Sequence, residues 1–213
     1  MKTITCYIDF ISPYAYLAFE ALPKALADSP SYQVVYKPVL FAALLKHHGQ
    51  LGPAEIAGKR EWTYRQVLWQ AKEHGVVLDM PLAHPFNPLS FLRLSVACDA
   101  QGTPNRYVCE TIFRHVWQGG AVADDAQRLA QLTQQLQPLR SPDSAEVKAQ
   151  LKTHTDEAVA AGVFGVPTFG VDDKLFWGLD ALPMMQQYLN DDPWFDTERW
   201  QSVEKIPQGI SRK

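Results

Sequence analysis

The chain has 213 residues, 46% hydrophobic and 20% charged, a globular composition with enough apolar material for a sizeable core. Its formal net charge of −3 gives no electrostatic basis for binding nucleic acid or an anionic membrane. Cys6, Cys98 and Cys109 form neither a Cys-x-x-Cys pair nor a disulfide framework, the N-terminus lacks a secretory signal pattern, and no apolar run spans a bilayer, so a reducing, cytoplasmic setting is expected.

Residues 3–9 are short and β-rich and read as a strand. Ser12-Pro13 then marks a helix start, with serine as N-cap and proline at the first helical position, where its missing N–H is not needed. That helix is expected to reach about Ala27, with Pro23 either kinking it or ending it early. Residues 32–39 read as a second strand, and strand–helix–strand at this spacing favours a parallel βαβ unit. Helical patterns follow over 41–47, 53–74, 88–101, 104–118, 125–136 and 144–161, separated by proline and glycine. Strand character returns at 168–171 and 174–177, around an Asp172-Asp173 turn. A last helix starts near Asp180, and the tail after Asn190 has no clear periodicity. The order βαβ, helices, ββα is similar to an α/β, thioredoxin-like fold with a large α-helical domain inserted after the first βαβ unit. The expected division is 1–40 with 163–213 as the thioredoxin-like domain, and 41–162 as the insert.

Four segments carry possible chemistry, each beside a plainer role. Ser12 is an N-cap, or a hydroxyl that donates to a thiolate held at the helix N-terminus. With no protein cysteine there, such a thiol is borrowed, as from glutathione. Val166-Pro167 is a proline entering an edge strand, or a cis bond opposite Ser12 that leaves the Val166 backbone free to pair with an extended peptide. Trp177-Gly178-Leu179-Asp180 is a strand end, turn and cap, or a grip on a γ-glutamyl end, with Asp180 on the ammonium and turn N–H groups on the carboxylate. Lys59-Arg60 is solvated surface, or Lys59 reaches a ligand carboxylate.

In this order and spacing, DFISPYAYLA, KREW, GVFGVPTFG and FWGLDAL resemble the 2-hydroxychromene-2-carboxylate isomerases. These are close to the kappa-class glutathione transferases, in the DsbA-like branch of thioredoxin folds. The resemblance spans Thr3 to about Leu189. It implies a glutathione cofactor, a homodimer and a small aromatic carboxylate substrate. It implies that Ser12 holds the glutathione sulfur, that Val166, beside Pro167, binds the cysteinyl backbone, and that Trp177, Gly178, Leu179 and Asp180 meet the γ-glutamyl end. The implied reaction interconverts 2-hydroxychromene-2-carboxylate and trans-o-hydroxybenzylidenepyruvate, with transfer of glutathione to other electrophiles as the alternative.

Two regions depart from the family pattern. The loop before Lys59 reads His48-Gly49-Gln50-Leu51-Gly52, where Gln50 stands in for asparagine. His84-Pro85-Phe86-Asn87-Pro88 is either a rigid loop or part of the acceptor pocket, with Phe86 stacking on an aromatic substrate and Asn87 hydrogen-bonding it. Ser12 and Ala15 occupy the positions of a Cys-x-x-Cys pair, which disfavours disulfide chemistry. No metal-ligand spacing or nucleotide motif is present, and the three cysteines read as core residues.

Overall fold

The computed structural model describes residues 1–210. Strand β1 (Lys2–Ile8) leads into helix α1 (Pro13–Ala25), and β2 (Tyr32–Pro38) returns parallel to β1, with Lys2 opposite Tyr32 and Ile8 opposite Pro38. Six helices follow: α2 (Phe41–His47), α3 (Lys59–His74), α4 (Leu89–Ala97), α5 (Arg106–Trp117), α6 (Ala126–Leu136) and α7 (Ala145–Ala160). The hairpin β3 (Thr168–Val171) and β4 (Lys174–Trp177) then completes a four-stranded sheet of order β2-β1-β3-β4. β3 is antiparallel to β1, and its partner β4 precedes α8 (Leu182–Leu189). β1 is thus central, and Ile4, Cys6 and Ile8 are almost wholly buried.

Pro23 does not stop α1, which continues to Ala25. A proline cannot supply the N–H that the carbonyl four residues back expects, here that of Phe19. Arg106 fills the gap: its Nη1 donates to the Phe19 carbonyl at 3.2 Å and to the Tyr36 hydroxyl at 3.3 Å, and its guanidinium lies 4.1 Å from the Phe19 ring centre. Arg106→Leu is expected to leave that carbonyl without a partner and to lower unfolding free energy by about 2 kcal/mol in urea titrations. A wild-type midpoint would show that the helix does not need the guanidinium.

The helical pattern over 53–74 divides in two. A 3-10 turn at Pro53–Glu55 is closed by the Glu55 carboxylate, which accepts from the Gly52 N–H at 2.6 Å. Gly58 then takes φ +79°, a left-handed value that ends one turn and allows α3 to start afresh at Lys59. α4 stops at Ala97, short of Gln101, because the Asp99 side chain accepts the N–H groups of Gln101 and Thr103 and closes a turn. α5 starts after Asn105, whose side chain accepts from the Val108 N–H, rather than at Pro104. The tail past Asn190 forms four-residue turns at Pro193–Asp196, α9 (Glu198–Gln201) and Ser202–Lys205. Phe195 anchors it, buried against Tyr188, Trp194 and Trp200.

All three cysteines are free. Burial pushes the Cys98 thiol up to about 11 and the fully buried Cys6 and Cys109 higher still, which removes thiolate chemistry at neutral pH.

Candidate functional site

Ser12 stands where β1 gives way to α1. Its Oγ accepts the Ala15 N–H at 3.2 Å, so the cap expected at this position is formed. The same hydroxyl donates to the Val166 carbonyl at 3.3 Å, bridging 154 positions of sequence. The Val166-Pro167 bond is cis, as is His84-Pro85. The Val166 backbone is therefore only half free: its carbonyl is engaged by Ser12, while its N–H has no acceptor among the described residues. The Pro167 carbonyl accepts from Gly178 N–H at 3.0 Å, which ties the Val166 segment to the end of β4.

Around Ser12 opens a cavity of about 1590 Å³. It brings together Ser12, Gln50, Lys59, Phe86, Val166, Pro167, Trp177, Gly178, Leu179 and Asp180. Asn87 does not reach it. Its side-chain oxygen accepts the Leu89 N–H at 3.1 Å and so serves the start of α4, correcting the substrate-contact expectation for this residue. Asp180 is exposed at the cavity and does not cap the following turn, where Gly178 holds the N-cap position with φ +98°. Neither the Asp180 carboxylate nor the Lys59 ammonium has a hydrogen-bond or ion-pair partner among the described residues.

Trp177 forms part of the rim, 55% exposed and edge-on to Phe164 at 4.9 Å between ring centres. Gly165 lies beneath the indole, and a Cβ there would sit 2.7 Å from Trp177 Nε1. Gly165→Ala is expected to displace the indole, shift tryptophan fluorescence and weaken ligand binding several-fold at little cost in stability. Unchanged emission and affinity would show that the ring does not define the rim.

Behind Ser12 lies Asp9, fully buried, with its carboxylate accepting from Ile11 N–H at 3.2 Å and Phe41 N–H at 2.9 Å. It joins the Ser12 turn to the start of α2. Burial dominates these donors and raises the Asp9 pKa to about 7. Trp117 supports the same turn by donating from Nε1 to the Phe10 carbonyl at 2.9 Å.

Sequence reasoning missed several lining residues. Tyr14, inside the Ser-Pro-Tyr run, donates its hydroxyl to Gln66 Oε1 at 2.8 Å. Trp62, inside Lys-Arg-Glu-Trp, is 64% exposed at the cavity. Both lie within the motifs DFISPYAYLA and KREW. Tyr64 also lines the cavity, as does His84 from the stretch read as a rigid loop or acceptor-pocket wall, and nothing in their spacing announces that they meet.

A family model described as the DSBA-like thioredoxin domain matches residues 3–190. The chain belongs to this family. Among relatives of this DSBA-like chain, a 2-hydroxychromene-2-carboxylate isomerase of Sphingobium xenophagum is 29% identical over 202 residues, covering 89% of the chain and 99% of the relative. The glutathione S-transferase kappa 2 of Caenorhabditis elegans is 26% identical over 210 residues, covering 88% and 92%. A solved 2-hydroxychromene-2-carboxylate isomerase superposes with a TM-score of 0.76 at 21% identity, covering 96% of this chain and all of the other, which places the two in one fold. The DSBA-like fold thus comes here with relatives named as isomerases and glutathione transferases.

Proposed function

We propose that the protein is a glutathione-dependent isomerase of the 2-hydroxychromene-2-carboxylate type. The observation that carries this is one cavity holding a serine hydroxyl at a helix N-terminus together with a carboxylate, Asp180, and an ammonium, Lys59, both unpaired among the described residues. Glutathione is a small zwitterion with a thiol at its centre, and this donor set matches it. Asp180 would hold the γ-glutamyl ammonium, Lys59 a carboxylate, and the free N–H of Val166 the cysteinyl carbonyl. When bound, glutathione supplies a thiolate able to add reversibly to a conjugated carbon.

The protein's own part is to make that thiol acidic and to hold the electrophile beside it. Ser12 Oγ–H turns from the Val166 carbonyl towards the sulfur, and the N-terminus of α1 adds its partial positive charge. Ser12 itself is no nucleophile, because among the described residues no base within hydrogen-bond reach activates its hydroxyl. Phe86, half-buried at the cavity wall, offers an edge or face to a bicyclic aromatic acid. The named relatives also favour a second reading, transfer of glutathione to other electrophiles, since the same thiol-activating half serves both. The proposal includes a homodimer working in a reducing compartment.

The direct test is calorimetry with glutathione, with thiolate absorbance followed in the same samples. Binding with a depressed thiol pKa, followed by turnover of the chromene, supports the proposal; no binding at millimolar glutathione removes it. Asp180→Ala is expected to weaken glutathione binding ten- to a hundred-fold, as for a lost charge-assisted hydrogen bond. Turnover at saturating glutathione should hold. The opposite pattern would take Asp180 out of the binding role.

A further inference from the structure

The wall of the same cavity carries a second set of polar groups. His84, in the loop between α3 and α4, places Nε2 2.8 Å from the Ile11 carbonyl oxygen. A carbonyl only accepts, so Nε2 carries a hydrogen. Nδ1 lies 2.7 Å from the Tyr64 hydroxyl, and in the neutral ring it is then the acceptor and Tyr64 the donor, at a shorter distance than the 3.1 Å from that hydroxyl to its other acceptor, the His84 carbonyl. Arg60 fixes the pair from behind, with Nε donating to the Tyr64 oxygen at 3.3 Å and Nη2 to the His84 carbonyl at 2.9 Å. The Ile11 carbonyl belongs to the turn that carries Ser12, so the two sets are held on one backbone segment.

We infer that Tyr64, backed by His84, is the proton relay for the ring-opening half of the reaction; the inference rests on the isomerase reading above. Opening the cyclic hemiketal removes a proton from its C2 hydroxyl and delivers one to the ring oxygen. The hydroxyl gives its proton to the Tyr64 oxygen as Tyr64 passes its own to His84 Nδ1. The electron pair left on the hydroxyl oxygen closes to a carbonyl, the bond from C2 to the ring oxygen breaks, and that oxygen leaves as a phenolate. The proton then returns from His84 through Tyr64 to the phenolate, and no net proton is gained or lost. Burial pushes the His84 pKa down, against the Ile11 carbonyl and with the Arg60 charge, which keeps Nδ1 open to accept. Tyr64 meets the substrate; His84 is a positioning residue that also stores the proton.

Tyr64→Phe is expected to lower kcat for the chromene about a hundredfold, the usual scale for one acid–base group. The glutathione Kd and the thiol pKa should stay at wild-type values, a split that a structural role would not produce. His84→Gln, whose amide can still donate to Ile11, should lower kcat similarly, and the double variant should be no worse than either single one. Nitrogen NMR at pH 7 should show His84 as the neutral Nε2–H tautomer. Wild-type kcat in Tyr64→Phe, additive losses in the double variant, or an Nδ1–H ring would each overturn the relay alone. Absence of chromene turnover by the wild-type protein would remove the isomerase reading and the relay with it.

Discussion

Ser12→Ala is expected to cut turnover at saturating glutathione about a hundredfold and to raise the pKa of the bound thiol. A donor aimed at an anion in a partly dry site is worth roughly 10²–10³ in rate when removed. Here it is Ser12 Oγ, 6% exposed and placed at the first turn of α1. Alanine also deletes the cap on the Ala15 N–H, which costs about 1 kcal/mol of stability. Ser12→Gly separates the two effects, since glycine at an N-cap costs only a few tenths of a kcal/mol relative to serine. Both variants should lose the thiolate absorbance at neutral pH, and only alanine should be clearly less stable. A titration that matches wild type in both would reduce Ser12 to a helix cap.

The second large effect is on stability and comes from Asp9. Its folded-state pKa, about 7, lies above the ordinary carboxylate value of 3.8, so the native state holds its proton more tightly than the unfolded chain. The stabilisation from this group is fully present below about pH 4 and is lost as pH rises through about 7. Between pH 7 and pH 5 the wild-type protein should therefore gain roughly 2 kcal/mol relative to Asp9→Asn. The variant titrates nothing at this position. It has one side-chain oxygen for two N–H groups, so it should be the less stable protein at pH 5. Urea midpoints measured for both across that range isolate the difference, because every other titrating group is common to the pair. Parallel curves would show that Asp9 has an ordinary pKa in the folded state.

The parts of this structure legible in sequence are those with a local cause. Ser12-Pro13 starts α1, and the short β-rich runs make β1 and β2, because caps and strand propensity act within a few residues. What the sequence leaves open is decided by partners that its local pattern does not name. Pro23 is tolerated because Arg106 arrives from α5 to satisfy Phe19. Asn87 was expected at the pocket and instead satisfies its own neighbour, Leu89. Motif residues such as Asp180 and Lys59 are found at one cavity, though far apart in sequence. The Tyr64–His84 pair was invisible because it depends on how α3 packs against a loop twenty positions later.

The sheet order has a consequence for how the protein comes into being. β1 is made first, and one side of it is covered at once by β2, about thirty residues on. Its other side waits for β3, whose Val171 pairs with Ile4 only after all of α2 to α7 has been synthesised. At ribosomal rates of about 5–20 residues per second, that interval is on the order of ten seconds. During it a nascent chain carries an open strand edge, the kind that invites pairing with other chains. Chaperones that hold this edge should bind chains stalled before Thr168 and release those that extend past Trp177.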